Sequence, residues 1–323
     1  MSAPVRVLHV NDCAFTAANL LAVAGQRGLP WEFQALAGAE RWVGAAAQAR
    51  RAVLGVSWLG HLARRSLHVD LLHVHFATVV HHTRVIPRPY VLHAHGTDVR
   101  TLQYDPHYGP IVRRALTGAR AVLYSTPDLA AHTVPRRPDA LYLPVPIDVD
   151  ALPAWKPQPR VFFASRWDDS KGVEGQLAVA RELARALGRG VAIMGLDWGP
   201  GAAAAREAGV QLVPRRGHSG YLALLARSQV VVGQSAGILA ASELEALGIG
   251  VPLVMTARHG LYGAAPPPVL DGAGTAEVVA AVLAASANPV AFAAAQQGPG
   301  WVRAHHSAAD QVDRLLEIYS GLI

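Results

Sequence analysis

Arg166 and Lys171 stand five residues apart in S-R-W-D-D-S-K-G, Ser165–Gly172, directly after the apolar run RVFFAS. A guanidinium and an ammonium in a glycine-ended loop after a strand can neutralise the charge on a diphosphate leaving group. The plainer reading is a surface loop with two solvated cations. A second stretch, Gly233–Val254, reads G-Q-S-A-G-I-L-A-A-S-E-L-E-A-L-G-I-G-V-P-L-V. It predicts a strand, a small-residue loop and a helix capped near Ser242. Backbone N–H groups at such a helix start attract phosphate, and Gly237, Ile238, Leu239 and Ala240 lie at that point. Glu245, one turn in, is placed to accept hydrogen bonds from ribose hydroxyls. The plainer reading is an ordinary helix with exposed glutamates, Glu243 among them. The pairing of this loop with the Arg/Lys loop says more than either alone.

A third stretch is H-A-H-G-T-D, His93–Asp98, at the end of an apolar run. Gly96 permits a tight turn, and His95 and Asp98 are expected to project into a ligand cleft, His95 orienting a sugar or an acceptor hydroxyl. Strand alternation puts His93 and His95 on one face, where a satisfied structural histidine is the competing reading, above all for His93. H-V-H-F (73–76) has the look of a metal pair but lacks a carboxylate or a third ligand, so no metal site is expected. Asn11 and Asp12 follow the first strand and are expected on the acceptor side with His95, Gly96 and Asp98. No Gly-x-Gly-x-x-Gly follows that strand, which argues against a nicotinamide or flavin enzyme, and no Gly-x-Ser-x-Gly elbow occurs.

The elements that would position these residues come in two series. Strands are predicted at 5–10, 70–76, 89–96, 121–126 and 140–147, with helices near 17–27, 44–66 and 108–119. A proline-dense stretch, 144–159, reads as a linker. The pattern then restarts with strands at 160–165, 191–195, 210–214, 229–235 and 251–256 and helices at 174–188, 220–228 and 242–250. Apolar strands alternating with helices predict parallel sheets covered on both faces. Val312, Leu315, Leu316 and Tyr319 recur at helical spacing in a last helix, 308–323. The expected domains are 1–150, 151–305 and a returning helix at 306–323, with ligands at the carboxyl ends of the strands.

A chain of 323 residues, 51% apolar and 16% charged, can bury two cores and is not disordered. One cysteine, Cys13, allows no intrachain disulfide. That cysteine and the lack of a signal-peptide pattern suit a reducing cytoplasm. The stretch VVAAVLAASANPVAFAAA is broken by Asn288-Pro289 and reads as helix, break, helix. Residues 1–150 hold 15 arginines and 10 acidic residues, most of the net +6. That excess would suit a phosphorylated acceptor, nucleic acid or an anionic membrane surface. Arg50/Arg51 and Arg64/Arg65 fall on one face of the helix near 44–66, which suggests peripheral contact with the inner membrane face; the plainer reading is a core helix with solvated arginines.

Taken together the motifs resemble the GT-B glycosyltransferases, and within them the retaining enzymes of glycosyltransferase family 4. The residues concerned are His95-Gly96, then Arg166, Lys171 and Gly172, then Leu244-Glu245-Ala246 with Gly250, Pro252 and Val254. The stretch from Trp301 to Tyr319 resembles that family's C-terminal helix. The resemblance implies two Rossmann-like domains facing a cleft, with the C-terminal half binding a UDP-, GDP- or ADP-sugar and no other cofactor. It implies transfer with retention and without metal, His95, Arg166 and Lys171 being catalytic. Gly237 stands where that family often has the first of two glutamates, so the amides of Gly237–Ala240 would take over its contacts. The acceptor is not written in the sequence. The alternatives are a non-catalytic nucleotide-sugar binder and a sugar-nucleotide epimerase of related fold.

Overall fold

The structure is a computed structural model that describes residues 4–36, 45–188 and 190–323. The chain forms two compact units, one of Met1–Pro146 with Ala308–Ile323, the other of Ile147–Ser307.

The first unit is built on six parallel strands: β1 (Val7–Val10), β2 (Trp31–Gln34), β3 (Leu71–His75), β4 (Tyr90–Ala94), β5 (Ala121–Tyr124) and β6 (Leu141–Tyr142), in spatial order β2-β1-β3-β4-β5-β6. Both faces are covered, as near-continuous apolar strands require. Leu8, Val10, Leu72, Val74 and Leu92 pack on one face. Val7, Leu71, Val91 and Leu123 pack on the other, against Leu20 and against Val312, Leu315 and Tyr319 of the C-terminal helix Ala308–Ser320. Alternation sends His9, His73, His75 and His93 to this second face. β2 escapes sequence reading because it is a four-residue edge strand whose Glu32 and Phe33 are exposed. The strand expected over 140–147 shrinks to the two residues of β6.

The helix Ala45–Ser66 follows β2. Trp58 and Leu62 are buried in the core. Arg65 does not point to a free surface: its guanidinium bonds the Glu32 carboxylate at 2.6 Å and the Phe33 carbonyl at 2.5 Å. The side chains of Arg50 and Arg51 lie outside the described residues.

The second unit has five parallel strands, β7 (Gln158–Phe163), β8 (Ala192–Leu196), β9 (Gln211–Val213), β10 (Ser228–Val232) and β11 (Leu253–Val254), in order β11-β10-β7-β8-β9. A short ladder joins β12 (Thr256–Ala257) to β13 (Leu270–Asp271). The helix Val173–Ala186 lays Leu177, Ala180 and Leu183 on Val161, Phe163 and Val230. Asn288 ends the helix Thr275–Ala287 and caps the next, Pro289–Gln296, by accepting from Ala291 N–H at 3.1 Å. Proline at the first helical position loses no bond there. Among the described residues no single helix is long and apolar enough to cross a membrane, and the pair Thr275–Ala287 and Pro289–His306 is bent by 115°.

Candidate functional site

In the second unit the Arg/Lys loop and the glycine-rich loop are sewn together. β7 ends at Phe163, and the chain turns through Ser165–Gly172 into the helix Val173–Ala186. Asp168 caps a one-turn 3-10 helix, Asp169–Lys171, by accepting from Ser170 N–H at 3.0 Å. The Lys171 carbonyl accepts from Ser235 N–H at 3.0 Å and from Gln176 Nε2 at 2.9 Å. Gly172 has φ +70°, and a Cβ there would lie 2.8 Å from the Ser235 carbonyl carbon. Only glycine fits that conformation at that approach. Ser165, beside Arg166, donates its hydroxyl to Glu243 Oε1 at 2.8 Å. Glu243 sits in the first turn of the helix Ala241–Ile249. The loop that carries Arg166 and Lys171 is therefore tied to the start of the Glu245 helix by backbone and buried side chains.

Arg166 is half-exposed. It donates to Ser170 Oγ at 3.1 Å, lies 3.5 Å from Asp168 Oδ1, and sits 5.7 Å from the Trp198 ring centroid. Its Nε is enclosed without a partner. Asp168 is held below the usual carboxylate range by the Ser170 hydroxyl first, then by the Ser170 N–H and the charges of Arg166 and Lys171. Arg166 is the cation in contact with this carboxylate, and Lys171 adds a longer-range pull. Arg215 lies 4.5 Å from the centroid of the same ring, a cation–π contact.

The glycine-rich loop departs from expectation in three ways. The helix starts at Ala241 with Ala240 as N-cap, not at Ser242. Glu243 is 0% exposed, not a solvated residue: it accepts from Gln234 N–H at 3.2 Å and reaches back to Ala240 N–H at 3.0 Å. The Leu239 N–H donates to Tyr262 Oη at 2.9 Å. The amides of Leu239 and Ala240 are therefore occupied and Gly237 is bridged to Ala257, and the remaining attraction for an anion comes from the first-turn N–H groups, which have no intrahelical acceptors. Gly237 has φ +78° and its carbonyl accepts from Arg258 N–H at 2.9 Å; Ile238 is buried. Glu245 is 2% exposed, and its Oε1 accepts from His218 Nε2 at 2.6 Å. Burial pushes its carboxyl above the ordinary value, against the pull of His218. Glu245 is thus a buried partner of His218, with one oxygen engaged by that ring.

In the first unit the loops after β1, β3 and β4 meet at the carboxyl edge of the sheet. Asn11, at φ 69°, donates from Nδ2 to the His75 carbonyl at 3.0 Å. Asp12 accepts from Ala17 N–H at 2.9 Å and so caps the helix Thr16–Gln26. Asp98 does not project into a cleft. It is buried and accepts from the N–H groups of Ala77, His95, Gly96 and Val99 at 3.0, 3.1, 2.9 and 3.0 Å. Burial pushes its carboxyl up, and these donors oppose the shift. Gly96 turns at φ +131° beside the Arg100 guanidinium, which in turn bonds Asp128 at 2.7 Å.

Beneath these loops lies a layer of five imidazoles. Register places His9 beside His73 and His75 beside His93. His9 Nδ1 is 3.1 Å from His75 Nε2, His75 Nδ1 is 3.0 Å from His95 Nε2, and His73 Nε2 is 3.3 Å from His93 Nδ1. His73 Nδ1 also bonds the Tyr319 hydroxyl of the C-terminal helix. Burial pushes His9 and His93 down to about 3, and His73, His75 and His95 well below their ordinary value. All five are neutral at pH 7.

Neutral imidazole is also the ligand form, and two sets, His9/His73/His75 and His75/His93/His95, bring ligand atoms within 4.8 Å of one another. The sets share His75 and hold no carboxylate. A divalent ion enclosed there would have no anion to balance it, a costly arrangement. Spacings of 3.0 to 3.3 Å are those of N–H···N hydrogen bonds, which require no ion.

Sequence reasoning missed Ser165, Glu243, His218 and Trp198. A glutamate three residues after an N-cap position is a legible signal for Glu243. The partnership of His9 with His75 was not legible, because strand register is not written in either strand alone.

No family model matches the chain, and no curated protein does. Solved structures do. A sucrose-phosphate synthase from Thermosynechococcus elongatus is 14% identical, with 98% of this chain and 99% of that one covered and a TM-score of 0.66. HepE from Anabaena, in complex with UDP and glucose, is 12% identical over 98% of this chain and 100% of that one, at 0.65. A putative UDP-N-acetylglucosamine 2-epimerase from Listeria monocytogenes is 14% identical over 99% and 96%, at 0.60. The chain has the α/β fold of the GT-B glycosyltransferases, with Rossmann-like parallel sheets.

Proposed function

We propose that this protein is a glycosyltransferase that moves a sugar from a nucleotide-diphosphate donor, a UDP-sugar first among the candidates, to an acceptor. The reading is carried by the joined loops of the second unit, which set Arg166 and Lys171 in one loop tied to the start of the helix Ala241–Ile249. In the free protein Arg166 lies 3.5 Å from Asp168 Oδ1; a diphosphate, with more charge and more acceptor oxygens, would displace that carboxylate. The similar architecture of HepE, solved with UDP and glucose, favours UDP as the first probe.

In this reading the glycosidic C–O bond to the diphosphate breaks as Arg166 and Lys171 take up the developing negative charge. The acceptor oxygen attacks from the same face. Its proton passes to the leaving phosphate oxygen, so configuration is retained and no metal is needed on the diphosphate. His95 orients the sugar or the acceptor from the first unit. Peripheral contact with an anionic membrane, through Arg64 and the exposed Val53 and Val56, belongs to the same proposal. Recovery of the protein only in the supernatant of a liposome-pelleting assay removes that part.

The test is a thermal-shift and calorimetric screen with UDP, GDP, ADP and their sugars, since a ligand of the folded state raises the melting point. One nucleotide should bind, and Lys171→Ala should weaken it about 10- to 100-fold, the worth of a charge-assisted hydrogen bond. The Lys171 carbonyl makes the structural bonds, so the variant keeps its fold. Undiminished binding in that variant ends the reading. Isomerised donor formed without acceptor would replace it with epimerisation.

A further inference from the structure

We propose that the chain His9–His75–His95 is a positioning device that fixes His95 as the Nδ1–H tautomer, so that it offers a hydrogen-bond donor to an oxygen of the bound substrate. The inference rests on the reading of His95 as a substrate-facing residue, but its structural half stands without it.

A neutral imidazole carries one donor and one acceptor nitrogen, and the partner of one nitrogen decides the state of the other. His9 Nε2 is enclosed and has no partner. A buried N–H without an acceptor is a rarer fault than a bare acceptor, because donors left unpaired lose the whole of their hydration. His9 therefore keeps its proton on Nδ1 and donates it to His75 Nε2, 3.1 Å away. With Nε2 accepting, the proton of His75 sits on Nδ1 and is donated to His95 Nε2 at 3.0 Å. That leaves the proton of His95 on Nδ1. The choice made at the closed end is transmitted through two hydrogen bonds to the open one.

The rings have little freedom to escape it. Asn11 holds the His75 carbonyl and Asp98 holds the His95 N–H, so both backbones are tied. The His73 ring stacks on His75 at 4.4 Å, and the His93 ring lies 4.4 Å from His95. His95 is half-buried, and its Nδ1 has no hydrogen-bond partner among the described residues. A nitrogen fixed as donor at the carboxyl edge of a sheet suits a sugar hydroxyl or phosphate oxygen acting as acceptor. It cannot take a proton from an acceptor hydroxyl while His75 occupies Nε2. His95 is thereby a donor for orientation and not a general base, which agrees with the leaving phosphate being the proton sink.

Two-bond proton–nitrogen correlation spectra of the full chain, labelled with ¹⁵N-histidine at pH 7.5, test this. His95 is assigned by its loss in His95→Gln. The expected result is the Nδ1–H pattern for His95, against the Nε2–H form that prevails in free histidine. An Nε2–H pattern for His95 in the unmodified protein overturns the proposal, whatever the variants do. His75→Asn keeps an N–H donor near the position of His75 Nδ1 and should preserve the pattern; His75→Leu removes it and should shift His95 toward Nε2–H. Equal spectra for the two variants overturn the relay. With a UDP-sugar donor, His75→Leu should lower turnover about 10-fold, and the Asn variant much less, at unchanged UDP affinity. Loss of UDP binding in the unmodified protein would sink the glycosyltransferase reading while leaving the tautomer result intact. Stoichiometric zinc in the purified protein, displacing the Nδ1–H signals, would overturn the hydrogen-bonded chain itself.

Discussion

The two units end their parallel sheets in loops of opposite electrical character. In the first, five buried imidazoles kept neutral by burial dominate the edge, Asp98 is wrapped by four N–H donors, and Asp128 is paired with Arg100. In the second, Arg166, Asp168 and Lys171 lie in a partly exposed loop, and the buried acids Glu243 and Glu245 fasten loops and a neighbouring histidine. The same topology supplies a carboxyl edge in both cases. Residue type then decides what that edge offers: neutral hydrogen-bonding rings in the first unit, cationic side chains in the second.

The largest expected effect is on acid stability. The five histidines have folded-state values far below 6.5, with His9 and His93 near 3. Below pH 6.5 the unfolded chain binds protons that the folded unit refuses, so stability present above pH 6.5 is lost as pH falls toward 3. Every such histidine adds to the loss, so the first unit should be destabilised steeply as pH falls below 6.5. Glu245 works with the opposite sign: its raised value favours the folded second unit as pH falls toward the ordinary carboxylate range. Hydrogen exchange between pH 7.5 and 5.5 should therefore open β1, β3 and β4 well before β7 and β10. Simultaneous opening of both sheets would erase the contrast.

Much of this contrast was visible in the sequence, and the reason it was incomplete is physical. Strand alternation placed His93 and His95 on one face, and the Arg–Lys–Gly loop after RVFFAS was legible because charge beside glycine after an apolar run has few other uses. Lys171 is one of two lysines in a chain with 27 arginines. What could not be read was burial reached through long-range pairing. Glu243 and Glu245 sit two residues apart in an ordinary helix start, and only Ser165 and His218, 78 and 27 residues away, show that both are enclosed. Likewise H-V-H (73–75) gives no sign of Tyr319, which lies 246 residues from His73.

Glu243 gives the next effect in size. Glu243→Ala would strip acceptors from Ser165 Oγ, Gln234 N–H and Ala240 N–H, two of them backbone donors in a closed site. Each orphaned donor costs about 1–3 kcal/mol, so a loss of about 2–5 kcal/mol is expected from denaturant unfolding of the second unit. Because Ser165 adjoins Arg166, UDP affinity should fall with it. Glu243→Gln should recover part of both, since one amide oxygen still accepts. A stable Ala variant with full UDP affinity would break the view that this acid fastens the charged edge.

The smallest effect sharpens the neutral side. Tyr319→Phe deletes one hydroxyl from the C-terminal helix and leaves the ring packed on Trp31 and His73. The loss is one neutral hydrogen bond, about 0.5–1.5 kcal/mol. It should appear in the unfolding of the first unit, with UDP binding to the second unchanged. His73 Nδ1 loses its partner, yet the separate chain through His9, His75 and His95 keeps all its bonds. The nitrogen spectrum of His73 should therefore move while that of His95 stays. If His95 moves as well, the five imidazoles act as one coupled array through their stacked rings, and the two threads cannot be treated apart.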